Sequence, residues 1–391
     1  MRWKVRFTEV EKRFSKPSAR VLTAATVAAS FAVTMVFPNA ASAFSGTLYN
    51  QQWSLQQIGA ANGWSHSEGK GIIIGLVDTG VDTSHADLQG QIIATTNCIG
   101  ANGDPSACSG SGMDDNGHGT HVAGLMVGTG ANGNGTVGVA PQAKLVVAKA
   151  LDSTGGGADA DVEAGIMWVV QHGAKVVNLS LGDGSTLPLG LASVGTITPQ
   201  LTAGIDYAWQ NGAIPVLAAG NNGGGLGSSL LLGSLLGSTA NFGTLPAVVV
   251  GASTKTGAVA SYSSQLTSDQ WAILAPGGAD DGNPADDVMS SYWTSSNATD
   301  AYTALAGTSM ATPQVAGTLA DILAQGGYTP TSAINQLLSS ADKSVPCGSA
   351  CAGLLDMSKA VGGPATAPPP GGGTTAQATD PIDALLQALG L

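Results

Sequence analysis

Residues 71–82 read GIIIGLVDTGVD, and the fold turns on them. The apolar run 72–77 is short and rich in β-branched residues, which is the pattern of a strand buried on both faces. Asp78 follows it directly, so its carboxylate emerges at the carboxyl edge of a central strand. Runs of the same character recur at 144–151, 175–181, 214–218 and 247–253. Between them, residues 118–127, 159–172, 202–210 and the segment from Ser309 through Gln325 carry helix-like periodicity. Alternating strands and helices predict an α/β, three-layer fold, with a mostly parallel central sheet flanked by helices. In such sheets, sites form just beyond the carboxyl ends of the strands.

The rest of the 391 residues is organised around that unit. Residues 1–43 begin with Arg2, Lys4, Arg6, Lys12, Arg13, Lys16 and Arg20, continue through an apolar run and end in Ala41-Ser42-Ala43. This is the order of a secretory signal peptide, with cleavage expected before Phe44 and no membrane association afterwards; an uncleaved anchor is the alternative. Residues 44–362 form the folded domain, residues 363–380 a Pro/Gly/Thr-rich linker, and residues 381–391 a short apolar tail. The run 223–238, GGGLGSSLLLGSLLGS, lacks charge and a clear period and reads as a surface loop.

Without residues 1–43, which hold seven Lys/Arg and two Glu, the formal charge goes from −12 to −17. Such a chain repels phosphate backbones, so nucleic acid is excluded as a partner, and a monomer is expected. The four cysteines fall as Cys98 with Cys108 and Cys347 with Cys351. An even count in an exported chain favours two disulfides, most simply these local pairs, with reduced thiols as the alternative. Neither spacing suits zinc. GNGTVG at 133–138 matches GxGxxG but follows a helix and precedes a strand, the wrong context for a dinucleotide site.

Four polar residues stand at predicted element edges. Asp78 can orient and charge-stabilise an imidazole. His118, in DDNGHGTHVAG, opens a helix; His121 three residues on raises a metal alternative, but HExxH is missing. Ser309, in AGTSMATPQVAG, opens another helix, where free N–H groups favour a developing negative charge. Asn221 ends IPVLAAGN and can donate to an oxyanion. Singly, each has an ordinary reading as a turn or cap residue. The GxSxG elbow of α/β-hydrolases is absent.

Together, VDTGVD, GHGTHVAG, AAGN and GTSMATP, in that order, resemble the subtilisin-like serine peptidases across roughly residues 53–361. The resemblance implies a secreted serine endopeptidase acting on proteins or peptides, with Asp78 as orienting acid, His118 as base, Ser309 as nucleophile and Asn221 in the oxyanion hole. It makes Ser180, Leu181 and Gly182 one wall of the primary specificity pocket, and Ala218, Ala219 and Gly220 another. It makes 153–157, STGGG, a substrate-binding edge strand, with Ser153, Gly155, Gly156 and Gly157 as candidates. It also implies a structural Ca²⁺ held by Asp87, in SHADL, and Asn132, in the 130–138 loop, and no catalytic cofactor. The family's inhibitory prodomain has little room here, since about ten residues separate Ala43 from Trp53.

Overall fold

The structure, a computed structural model, describes residues 48–181, 198–221, 223, 239–240, 242–267, 269–296 and 298–362. The expected signal segment, linker and tail, Gly182, and all but Gly223 of the 223–238 run lie outside the described residues.

An eight-stranded sheet forms the middle layer. Its strands are β1 (Ile73–Asp78), β2 (Ile92–Asn97), β3 (Lys144–Lys149), β4 (Val176–Leu179), β5 (Ile214–Ala218), β6 (Val248–Ser253), β7 (Trp271–Pro276) and, after the hairpin β8 (Val288–Ser291) and β9 (Tyr302–Leu305), β10 (Cys351–Leu354). The spatial order is β10-β7-β6-β5-β4-β1-β3-β2, and every pairing in it is parallel. The chain leaves β1 for the β2 edge, returns beside β1 as β3, then crosses to β4 on the other side. The direction of winding thus reverses around β1, and in open parallel sheets the carboxyl end of such a strand is where sites form.

Alternation along each strand builds the two outer layers. Ile74, Leu76, Leu145, Val147, Val176 and Val216 face the core containing α1 (His118–Val127) and α4 (Thr308–Ala324). Val77, Val146, Ala148, Val177, Leu179 and Leu217 face α2 (Asp159–Gln171) and α3 (Pro199–Gln210). Each fully buried Val, Leu or Ile contributes about 1.5–3 kcal/mol, so both faces of the sheet are anchored. Gly75 is required where β1 meets α2: a Cβ there would lie 2.6 Å from Val169 Cγ2. The helices α5 (Pro330–Ser340) and α6 (Met357–Gly362) complete the α4 side.

Both expected disulfides, Cys98–Cys108 and Cys347–Cys351, are formed. Helix α3 begins at Pro199, three residues before the periodicity shows it, because Thr198 caps it by accepting from Leu201 N.

Candidate active site

Asp78 is the last residue of β1 and is fully buried. Its Oδ1 accepts from Thr79 N at 2.7 Å and from His118 Nδ1 at 2.8 Å, while Oδ2 meets no donor among the described residues. A carboxylate only accepts, so the imidazole proton sits on Nδ1 and Nε2 is left as a basic lone pair. His118 keeps 26% of its side chain exposed. Burial disfavours the charged ring, but the charge and hydrogen bond of Asp78, with the charge of Asp114, outweigh it and hold its pKa above the ordinary value.

The first turn of α1 is pressed against the loop leaving β1. A side chain at Gly119 would collide with the Gly80 carbonyl, and one at Gly117 with the Tyr292 ring. This is why His118 is flanked by glycines. His121 points away from the site: its Nε2 donates to the carbonyls of Val288 and Thr303, and burial with the nearby His118 charge lowers its pKa to about 3. It is a neutral core residue.

Ser309 is 8% exposed, in the first turn of α4. Its hydroxyl donates to the Ser180 carbonyl at 3.2 Å, and Ser180 Oγ donates back to the Ser309 carbonyl at 2.9 Å. The register pairs Leu76 with Asn178 and Asn178 with Val216. Asp78 and Ala218 end their strands, Ser180 follows the end of β4 between them in the sheet order, and Ser309 is tied to Ser180. The Ser309 hydroxyl donates to Ser180 and not to His118.

Asn221 follows β5, and its Oδ1 accepts from both Thr308 N and Thr308 Oγ1 at 2.9 Å. The atom facing the Thr308 N–H has to be the oxygen, which turns Nδ2 the other way. A Cβ built on Gly307 would lie 3.3 Å from that Nδ2 and 3.7 Å from Ser309 N, so both donors converge on one small space. Thr308 thus sets the amide, and the cap position of the helix is Gly307.

The remaining residues are distributed less simply. Ala218, Ala219 and Gly220 run from the end of β5 to Asn221, and Leu181 follows Ser180. The 153–157 segment is not a strand. Asp152 closes a turn there, accepting from Thr154 N, Thr154 Oγ1 and Gly156 N, while Asp152 N donates to Gly156 O and Gly155 takes φ 82°. Ser153 belongs to that turn. Beyond it Gly157 is exposed, and its backbone N–H and C=O make no hydrogen bond among the described residues.

The Asp87 segment does not fit calcium. Oxygen ligands turn lone pairs toward a common centre at about 2.3–2.6 Å. Here the Asp87 carboxylate is filled with protein donors: Ala131 N, Thr136 N, Thr136 Oγ1 and Ser291 Oγ. Gly135 packs so tightly against it that a side chain there would overlap the carboxylate. The side chain of Asn132 lies outside the described residues, and among these no group of three or more His, Cys, Asp or Glu gathers to hold a metal. The Asp87 carboxylate is the centre of a hydrogen-bonded hub.

Known proteins resemble this chain over most of its described residues. Residues 69–359 match the model of the subtilase family. Thermitase of Thermoactinomyces vulgaris is 32% identical over 296 residues, 75% of this chain and 89% of that protein. Subtilisin DY of Bacillus licheniformis is 34% identical over 277 residues, 70% and 84% of the two chains. An extracellular protease of Xanthomonas campestris pv. campestris is 29% identical over 359 residues, 81% and 56%. Among solved structures, a protease from Pseudoalteromonas arctica PAMC 21717 superposes with TM-score 0.66 at 26% identity, covering 81% of this chain and 98% of that one.

Proposed function

We propose that this chain, which belongs to the subtilase family and is a serine-type endopeptidase, cleaves peptide bonds through Asp78, His118 and Ser309. The observation that carries this reading is the Asp78–His118 bond of 2.8 Å at the sheet edge where Ser309 opens its helix. His118 Nε2 takes the Ser309 proton as Oγ attacks the scissile carbonyl, and Asp78 stabilises the resulting imidazolium. Asn221 Nδ2 and Ser309 N–H receive the oxyanion. As the C–N bond breaks, His118 returns the proton to the leaving amine; water then hydrolyses the acyl ester by the same path reversed. These steps draw on no catalytic cofactor.

The unpaired backbone of Gly157 supports a role in pairing with an extended substrate, with Gly155 and Gly156 keeping the approach open. Ser180, Leu181 and Gly182 on one side and Ala218, Ala219 and Gly220 on the other then bound the pocket for the residue preceding the cleaved bond.

Export of a monomer after cleavage before Phe44 is part of the same reading. It is supported by the basic, apolar, small-residue order of residues 1–43 and by two disulfides. No helix of the described residues is long and apolar enough to cross a membrane.

Casein and peptide hydrolysis by purified residues 44–391, beside Ser309→Ala, tests the proposal. Turnover lost in the variant is expected; equal turnover in both proteins would refute it.

A further inference from the structure

We propose that Asp114 is a positioning residue for this triad, its buried carboxylate clamping the loop that leaves Asp78 to the helix turn that carries His118. The inference rests on the triad reading above and adds a fourth residue to it.

Asp114 is 1% exposed, and five donors converge on it. Oδ1 accepts from Thr79 Oγ1 at 2.9 Å and from Asn116 N and Gly117 N at 3.0 Å; Oδ2 accepts from Thr120 N at 2.9 Å and Thr120 Oγ1 at 2.6 Å. Gly117, the N-cap of α1, has no side chain to satisfy the first turn, and Asp114 does so from outside the helix. Thr79 links the two halves. Its hydroxyl donates to Asp114 and accepts from Gly119 N at 2.9 Å, while its own N–H donates to Asp78 Oδ1. Thr120 Oγ1 in turn accepts from Asp82 N at 3.0 Å. The residue after Asp78 and the residues on both sides of His118 therefore hang from one carboxylate. A relative shift of Asp78 and His118 has to break several of these bonds together.

The clamp is also a charge. Burial opposes ionisation of Asp114, but the hydrogen bonds from Gly117, Thr120 and Asn116 outweigh it and hold its pKa below the usual carboxylate range. The other charged or titratable groups around His118 and Asp114 are Asp78 at the end of β1, Asp82 in the loop after it, Asp115 beside Asp114, neutral His121 in α1, Lys149 from β3 and Tyr292 after β8. Lys149 Nζ lies 2.6 Å from Asp115 Oδ1, which pairs that charge off. Asp114 therefore joins Asp78 in stabilising the imidazolium.

The test compares pH–rate profiles of the purified enzyme, Asp114→Asn and Thr79→Val on one peptide substrate, with Ser309→Ala as control. Asp114→Asn is expected to lower kcat on the order of 10–100-fold with KM changed less than about 3-fold, because a small misplacement of base against nucleophile is costly. Its acidic limb moves to lower pH, since an imidazolium that has lost a negative neighbour gives up its proton more readily. Thr79→Val keeps the charge but cuts the link; it is expected to lower kcat while leaving the acidic limb in place. Wild-type kcat and acidic limb in a folded Asp114→Asn would overturn the proposal. If that variant does not fold, wild-type kcat in Thr79→Val overturns it, and a lowered kcat with an unmoved limb supports it. Activity surviving in Ser309→Ala would instead sink the triad reading on which the clamp depends.

Discussion

Ser180 and Ser309 exchange hydrogen bonds: each hydroxyl donates to the other's backbone carbonyl, at 2.9 and 3.2 Å. The reason lies four residues further along α4. Pro313 has no N–H, so the Ser309 carbonyl loses its helical partner, and the Ser180 hydroxyl takes that place. Asn178 Nδ2 donates to Ser180 Oγ and fixes its direction. The proline thus frees an acceptor by which Ser180, just beyond β4, holds the backbone of Ser309.

Ser180→Ala leaves that buried carbonyl without a donor. A loss of about 1–3 kcal/mol is expected. Because the acceptor is backbone, the loss persists in a Ser309→Ala background, where self-digestion cannot confuse the melting curve. An unchanged Tm there would show that another group satisfies the carbonyl.

Asn221→Ala removes one of the two converging donors. It is expected to lower kcat on the order of 10²–10³-fold with KM nearly unchanged, a magnitude carried over from subtilisin, itself a subtilase. Steady-state kinetics on a peptide substrate decide the matter; a normal kcat would remove Asn221 from the oxyanion site.

The donor-filled Asp87 carboxylate predicts that a chelator leaves Tm in place, while Asp87→Asn lowers stability by about 1–3 kcal/mol by breaking the hub. Thermal denaturation with EDTA and with added calcium reads both. A chelator-induced fall in Tm that calcium restores, and that Asp87→Asn abolishes, would make Asp87 a metal ligand after all.

Asp321, on α4, is fully buried, and the Ser67 hydroxyl beside it does not offset the cost of burial. Burial first, and then the charge of Glu68, raise its pKa well above 3.8. The folded state therefore keeps the proton while the unfolded chain releases it, so the neutral side chain costs stability as pH rises from the unfolded value to the raised folded one. Asp321→Asn, which does not ionise, is expected to lose less stability than the parent between about pH 4 and 7, both measured in the Ser309→Ala background. Parallel curves would show that Asp321 is ionised in the fold.

The central strands and the candidate site residues were legible because each leaves a local mark. A run such as IIIGLV is buried on both faces, and Asp78, His118, Asn221 and Ser309 sit at element ends where helix-like and strand-like patterns change. Strand β2 escaped notice because an edge strand needs no continuous apolar run: IIATTN is partly exposed. β7, WAILAP, is too short to tell from a helix segment, and β10, CAGL, carries almost no pattern. The roles of Asp114, Thr79 and Thr308 depend on contacts between residues distant in sequence, which spacing does not encode. What surrounds Asp87 was hidden for the same reason. SHADL and the 130–138 loop look like ligand segments, yet Thr136 and Ser291 bring hydroxyls that occupy the carboxylate.

The most direct test of the account is mass spectrometry of the intact protein after exposure to a serine-reactive phosphonate at about pH 8. A single adduct mapping to Ser309, formed in the wild type and lost in His118→Ala, is the predicted result, since without the imidazole the hydroxyl keeps its proton. An adduct on another serine, or equal labelling of Ser309 in the folded His118→Ala variant, would contradict the assignment of nucleophile and base.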